Sequence, residues 1–178
     1  MFPKHISLLE LTASDVMSRD VVVIPRKMSL RAAGHVLAQA RISGAPVVDE
    51  TGRCVGVIST TDLIYWLDQG DRAAKQRDSD TEGICSEWQN VDLETVPVEE
   101  VRRFMTSDVV TALSGMPIGE LARKMLDARI HRIIVTDAEN RPVGIVSSTD
   151  ILAAVAQSEA EHAERLVREF HPTGAGLG

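Results

Sequence analysis

A chain of 178 residues, 44% hydrophobic and 25% charged, has the balance of a soluble globular protein rather than a disordered or fibrous one. Its length fits one domain, or two small ones that share a core. The formal charge of −7 argues against a general nucleic-acid binder, which needs a basic face to displace counterions from phosphates.

The N-terminal stretch meets Glu10 and Asp15 before a signal-peptide core could form. No apolar run approaches the roughly 18–20 residues needed to cross a bilayer. Cys54 and Cys85 have neither Cys-x-x-Cys spacing nor His partners at zinc-site intervals. They read as ordinary thiols, and the expected location is a reducing cytoplasm.

In chain order, the β-branched run at 21–24 suits a short strand. Ser29 then caps a helix whose apolar residues, Leu30, Ala33, Val36, Leu37 and Ala40, recur at helical spacing. Residues 45–59 read as strand, turn and strand, with Thr51-Gly52 at the turn. Ser59-x-x-Asp62 opens a second helix running into Leu63, Ile64, Tyr65, Trp66 and Leu67. Residues 68–97 change character: they are charged, lack apolar periodicity and read as a mobile linker that Trp88 anchors.

The chain then repeats itself. At an offset of 88 it aligns without a gap from Val16–Ile64 to Phe104–Leu152. Identical pairs include Met17/Met105, Arg41/Arg129, Ile42/Ile130, Gly56/Gly144, Ser59/Ser147 and Asp62/Asp150. The second copy predicts a strand at 109–112, a helix with Pro117 in its first turn, a hairpin turning at Glu139-Asn140, and a helix opened by Ser147-x-x-Asp150. Beyond it, Val155, Ala156, Ala160, Ala163, Leu166, Val167 and Phe170 form an amphipathic stripe, and the tail after it should fray. Each β-α-β-β-α unit of about 50 residues is too small to stand alone, so the halves should pack on each other. The expected divisions are 12–67 and 98–156 for the repeats, 68–97 for the insertion and 157–178 for the final helix and tail.

A Ser-x-x-Asp where a strand hands over to a helix places a carboxylate and a hydroxyl beside free backbone N–H groups. That arrangement can cap the helix, or it can accept the hydroxyls of a ribose while the N–H groups face a phosphate. No catalytic constellation accompanies it. His5, His35, His131, His162 and His171 form no metal pattern, and no Ser/His/Asp triad or Gly-rich phosphate loop is present in the sequence.

The tandem of Met, hairpin Asp, Val-Gly and Ser-x-x-Asp, in the same order twice, resembles a pair of cystathionine-β-synthase (CBS) domains, the arrangement called a Bateman module. The resemblance implies an α+β fold in which two β-α-β-β-α motifs pack as a pseudo-twofold pair, with the C-terminal helix appended. It implies a regulatory protein and not an enzyme. The ligand would be an adenosine compound such as AMP, ADP, ATP or S-adenosylmethionine, and no cofactor would be required. By that resemblance Asp62 and Asp150 hold ribose, with Ser59 and Ser147 beside them. One pocket would join Ile24, Ser43, Gly44 and Ala45 to Ser147 and Asp150. The other would join Val110, His131, Arg132 and Ile133 to Ser59 and Asp62. His131 and Arg132 stand where the first repeat has Ser43 and Gly44, and they suit a monophosphate or diphosphate. Ile134 replaces Pro46, which makes the second repeat's backbone less fixed at that point.

The resemblance also implies a homodimer, in keeping with the apolar residues Ile64, Trp66, Leu67, Leu152 and Val155. A regulated protein would be a further partner, while a membrane or nucleic acid would not. The alternative is a dimerisation or interaction module that binds no nucleotide.

Overall fold

The computed structural model describes residues 8–66 and 98–170, so the 68–97 insertion with Trp88 and the final tail lie outside the described residues. The described chain forms two compact units. Unit I holds residues 21–66, 98–109 and 139–142, and unit II holds 8–20, 110–138 and 143–170.

The sheet of unit I has the order β1 (Ile24–Pro25), β2 (Gly44–Val48), β3 (Cys54–Ser59). β1 runs parallel to β2, a pairing that requires a crossover, and α2 (Leu30–Ala40) supplies it. As expected, Ser29 caps α2, its Oγ accepting the Ala32 N–H at 3.2 Å. β2 and β3 form the antiparallel hairpin, and α3, described over 60–66, follows directly. Unit II repeats the plan with β4 (Thr111–Leu113), α4 (Ile118–Ala128), β5 (Arg132–Thr136), β6 (Pro142–Ser147) and α5 (Ser148–Phe170). Pro117 sits at the cap of α4 and not inside its first turn. The fold is therefore mixed α+β, with one three-stranded sheet in each unit.

The identities between repeats have local causes. Arg41 and Arg129 end α2 and α4 in the left-handed region, each at φ 54°. The following N–H groups then reach back, Ile42 to the Leu37 carbonyl at 3.0 Å and Ile130 to that of Met125 at 2.9 Å. This is the helix-ending motif in which the residue after the left-handed one also packs onto the last turn. Ile42 and Ile130 do so, each lying against the core of its unit. An Arg in that conformation costs roughly 1–2 kcal/mol, which the motif offsets.

At the hairpin tips Gly52 and Asn140 take the left-handed turn positions at φ 80° and 63°. Asp49 Oδ1 closes the first tip by accepting the Thr51 N–H at 2.8 Å, the Thr51 hydroxyl at 2.7 Å and the Arg53 N–H at 3.0 Å. The Thr51 hydroxyl, foremost, holds the Asp49 carboxyl below its ordinary range. Beside it Glu50 pairs with Lys27 at 2.7 Å and Arg26 at 2.9 Å, contacts that pull its carboxyl down to about 2.

The units do not coincide with the repeats, because each repeat lends its leading segment to the other's sheet. In unit II the first repeat supplies α1 (Ala13–Val16) and Ser18, which bridges to Ile145 of β6 through bonds of 2.9 and 3.0 Å. In unit I the second repeat supplies a short 3-10 turn (Val101–Arg103) and Thr106, which bridges to Val57 of β3 through two bonds of 2.9 Å. Val101 is fully buried in the core of unit I with Leu30, Leu37, Val47 and Ile58. Leu11, Ala13 and Val16 are buried with Leu121, Ile133 and Val146 in unit II. Burying one such side chain contributes about 1.5–3 kcal/mol.

The exchange explains the Met and the Val-Gly that recur in both repeats. A Cβ on Gly56 would lie 2.5 Å from Met105 Sδ and 3.0 Å from the Thr106 carbonyl, and one on Gly144 would overlap Met17. It also shortens the first strands, which pattern alone places at 21–24 and 109–112. Residues 21–23 and 109–110 carry the chain from one unit to the other and join no ladder.

Two outcomes are expected. Gly144→Ala should lower stability by about 1–3 kcal/mol in urea titration, and by clearly less in a Met17→Ala background. Equal costs in both backgrounds would mean that the thioether is not the obstacle. Replacing Glu50 with Gln should destabilise at pH 7. Because the folded carboxyl lies near 2 against an ordinary 4.5, that difference should fade as pH falls from about 4.5 toward 2. A difference unchanged across that window would show that the ion pairs do not act on folding.

Candidate functional site

Ser59 is the last residue of β3, and the chain turns at once into α3. Its N–H and Oγ both donate to Asp62 Oδ2, at 2.8 and 2.7 Å, and the Asp62 N–H donates back to Ser59 Oγ at 3.3 Å. Ser147 and Asp150 reproduce the arrangement between β6 and α5 at 2.7, 2.6 and 3.3 Å. This is a reciprocal cap, in which hydroxyl and carboxylate each satisfy a backbone donor that the helix start leaves open. The cap uses one carboxylate oxygen. Oδ1 of Asp62 and of Asp150 has no hydrogen-bond partner among the described residues.

The approach to the middle strand is pinned to the same helical turn. In unit I the Thr60 N–H donates to the Ser43 carbonyl at 2.9 Å, and Gly44 stands opposite Ser59 in the β2–β3 register. In unit II the Ser148 N–H donates to the His131 carbonyl at 2.9 Å. With residue 60 or 148 bonded to that carbonyl and the Asp N–H bonded to the Ser hydroxyl, the N–H of Thr61 or Thr149 is the donor these bonds leave unused. The geometry within each unit thus gathers Ser43 and Gly44 with Ser59 and Asp62, and His131 and Arg132 with Ser147 and Asp150. The expected grouping of each approach segment with the other repeat's Ser-x-x-Asp spans the two units.

The shortness of β1 and β4 matters here. The parallel ladder to β1 starts only at Val47, so the β1-facing edge at Gly44 and Ala45 lies outside it. The ladder from β4 starts at Ile134, beyond Arg132 and Ile133. Each unit therefore holds a stretch of strand backbone outside the first-strand ladder, next to a carboxylate oxygen with acceptor capacity to spare.

The expected side chains divide by burial. Ile24, Ala45 and Ile133 are buried in their cores, which leaves only the backbone of Ala45 and Ile133 for recognition. Val110 is half-buried, and Ser43, His131 and Arg132 are exposed. The repeat offset matches Val110 not with Ile24 but with Val22, which is also half-buried. Extending the parallel register backwards places Val22 opposite Ala45 and Val110 opposite Ile133. Val22 was legible from the offset of 88 alone.

Gly44 and Arg132 occupy the same position with different consequences. A Cβ on Gly44 would lie 3.1 Å from the Ile58 carbonyl and 3.4 Å from Ser59 Cβ, so the first approach is tight. The second carries a guanidinium and an imidazole beside the N-terminus of a 23-residue helix. That unit thus offers an anion two polar side chains, one of them a guanidinium, and a long helix start together. Cys54 is buried, which pushes its thiol up, and its S–H points to the Gly56 carbonyl at 3.6 Å.

Among the described residues no helix is long and apolar enough to cross a membrane. A model of the CBS domain matches residues 13–69 and 98–157. Homoserine O-acetyltransferase from Methanococcoides burtonii is 29% identical over 147 residues, which is 83% of this chain and 25% of that protein. The chain spans about a quarter of the length of the curated relatives it matches first. Among solved structures, a CBS domain pair in complex with 5′-methylthioadenosine and S-adenosyl-L-methionine superposes with TM-score 0.63 at 25% identity, covering 83% of this chain and 97% of that one. The cytosolic domain of the Mg2+ channel MgtE in complex with ATP gives 0.60 at 28%, covering 81% and 48%.

Ser147→Ala should cost about 0.5–2 kcal/mol of stability in the absence of any ligand, while Ser147→Thr should cost little. Thermal unfolding would detect the loss, and an unaltered Ser147→Ala protein would show that the motif does not cap α5.

Proposed function

The chain belongs to the CBS-domain family, and from that premise we propose that it is a regulatory module which binds an adenosine-containing ligand and passes its occupancy on to a partner. The observation that carries this reading is the twice-built Ser-x-x-Asp. In each copy one carboxylate oxygen holds the helix cap, and the other remains open beside an unused N–H. Adenosine ligands in two similar structures support it.

In this reading Asp62 and Asp150 accept the ribose hydroxyls on Oδ1. The base lies along the strand backbone at 44–45 or 132–133, outside the first-strand ladder, against Val22 or Val110. A phosphate on the ligand meets His131, Arg132 and the Thr149 N–H in unit II. AMP or ADP therefore suits unit II, and ATP or S-adenosylmethionine are the competing ligands. The module does no chemistry on its ligand and works in the cytoplasm. A bound ligand acts only through its different affinity for two states of the module, so occupancy must appear as a change in assembly or in a partner's activity.

A homodimer is part of the proposal. Ile64, Tyr65 and Trp66 on α3 are 37%, 57% and 37% exposed, and Leu152 on α5 is 66% exposed. Trp66 also makes an edge-on contact with Phe104 at 4.9 Å. The same residues favour a second reading, an interaction module that binds no nucleotide.

Calorimetric titration with AMP, ATP and S-adenosylmethionine separates the two readings. Micromolar binding of one ligand, weakened at least tenfold by Asp62→Ala with Asp150→Ala, is expected. Silence across the panel in nucleotide-free protein would leave the interaction module. A monomeric mass by light scattering at micromolar concentration, with and without ligand, would remove the dimer from either reading.

A further inference from the structure

In each unit a thioether lies over the glycine beside the closed sheet edge, and the two closures are not equally backed. Met17 and Met105 are half-buried at the margins of their cores, next to the exposed residues 18–20 and 106–108. Met125, by contrast, is buried in the core of unit II. A Cβ on Gly144 would overlap the Met17 sulfur and lie 2.8 Å from Met17 Cγ, so the thioether fills the space that a side chain at 144 would need. Three N–H groups around it are already spent. That of Met17 donates to the Ala13 carbonyl at 2.9 Å, that of Ser18 to Ile145 at 2.9 Å, and that of Ile145 to Ser18 at 3.0 Å. In unit I, β3 has a further cover at its start, where Cys54 and Asn140 exchange two bonds of 2.8 Å. The matching residue of β6 is Pro142, which has no N–H to give.

We propose that Met17 is an oxidation site that controls the closure of unit II: a peroxide converts its thioether to the sulfoxide, and the leading segment then lets go of β6. The sulfur attacks the peroxide, an S–O bond forms and the O–O bond breaks. The sulfur gives up two electrons, and the displaced oxygen leaves with its protons as water. The product is polar and larger by one atom, where the thioether was apolar and closely packed. On the Gly144 side no added atom fits, and the spent N–H groups offer the new oxygen no donor. It gains its hydrogen bonds by turning to water, which lifts the side chain off the glycine. Met105 carries the same chemistry in unit I, but there the Cys54–Asn140 bonds keep part of the β3 edge covered. Methionine sulfoxide is reversible by enzymes specific for each of its two epimers, so the change can be undone. The inference does not depend on what the Ser-x-x-Asp motifs bind.

The test treats the full chain with millimolar hydrogen peroxide, maps the sulfoxides by peptide mass spectrometry and follows amide hydrogen exchange. Formation of the Met17 sulfoxide should speed exchange at Ser18 and Ile145 roughly tenfold, and reductases for both epimers should restore the slow rates. Exchange at Val57 should rise clearly less when Met105 is oxidised. Met105→Leu should keep the response at Ile145, and Met17→Leu should abolish it. Met17 left unoxidised while exposed methionine in a free peptide reacts would overturn the site. So would Met17 sulfoxide with unchanged exchange at Ile145 in the wild type, a result that needs no variant to fold. An equal response at Ile145 in Met17→Leu would place the cause elsewhere. Equal responses at Val57 and Ile145 would overturn the assignment of the switch to unit II.

Discussion

An edge strand leaves a row of backbone donors and acceptors without partners, and a three-stranded sheet has two such edges. In both units the edge formed by the hairpin's second strand, β3 or β6, is closed by the leading segment of the other repeat. The closure is a pair of backbone bonds at Val57 or Ile145 with a Met laid over the neighbouring Gly. Much else depends on it. It completes each core with residues from the start of the other repeat, and it keeps side chains away from positions 56 and 144. It also ends each first strand early, because the chain must leave for the other unit.

Early termination of β1 and β4 links packing to chemistry. Had the ladders run back over the whole β-branched run, the edges at Gly44–Ala45 and Arg132–Ile133 would be spent on sheet bonds. Because they stop at Val47 and Ile134, the same backbone lies outside the first-strand ladders, beside Ser59 or Ser147. The Ser-x-x-Asp then serves two ends with two oxygens. One ties the strand end to the helix start whether or not a ligand is present, and the other keeps its acceptor capacity. Since the cap holds the carboxylate in place beforehand, a ligand need not supply the entropy of ordering it.

The repeats are unequal where the closure is unequal. Asn140, at the tip of the second hairpin, accepts the Cys54 N–H on its carbonyl at 2.8 Å and donates its side-chain amide to the Cys54 carbonyl at 2.8 Å. The position that matches Cys54 in the second repeat is Pro142, which has no N–H to give, so the mirror clamp cannot form. Unit I therefore holds two segments of the second repeat, 98–109 and 139–142, whereas unit II holds one of the first. Gly44 against Arg132 adds a difference of charge to this difference of bracing.

The sequence by itself determined the repeat, its offset, and nearly every local element. Helical spacing placed α2 and α4, Ser29 gave its cap, Thr51-Gly52 and Glu139-Asn140 gave the turns, and Ser-x-x-Asp marked the starts of α3 and α5. These are short-range effects, in which a side chain meets backbone within four residues, so they can be read along the chain. It also pointed to Asp62, Asp150, Ser59 and Ser147, because two copies at one spacing stand out without a structure. Which sheet a leading segment joins was decided only by the tertiary structure. The bonds Ser18–Ile145 and Thr106–Val57 span distances along the chain on which local propensity has no bearing. For the same reason Ile24 falls in the core while Val22, outside the ladder, stays half-buried. The Met and Gly were visible as repeated letters, but their meaning came from contact across that distance.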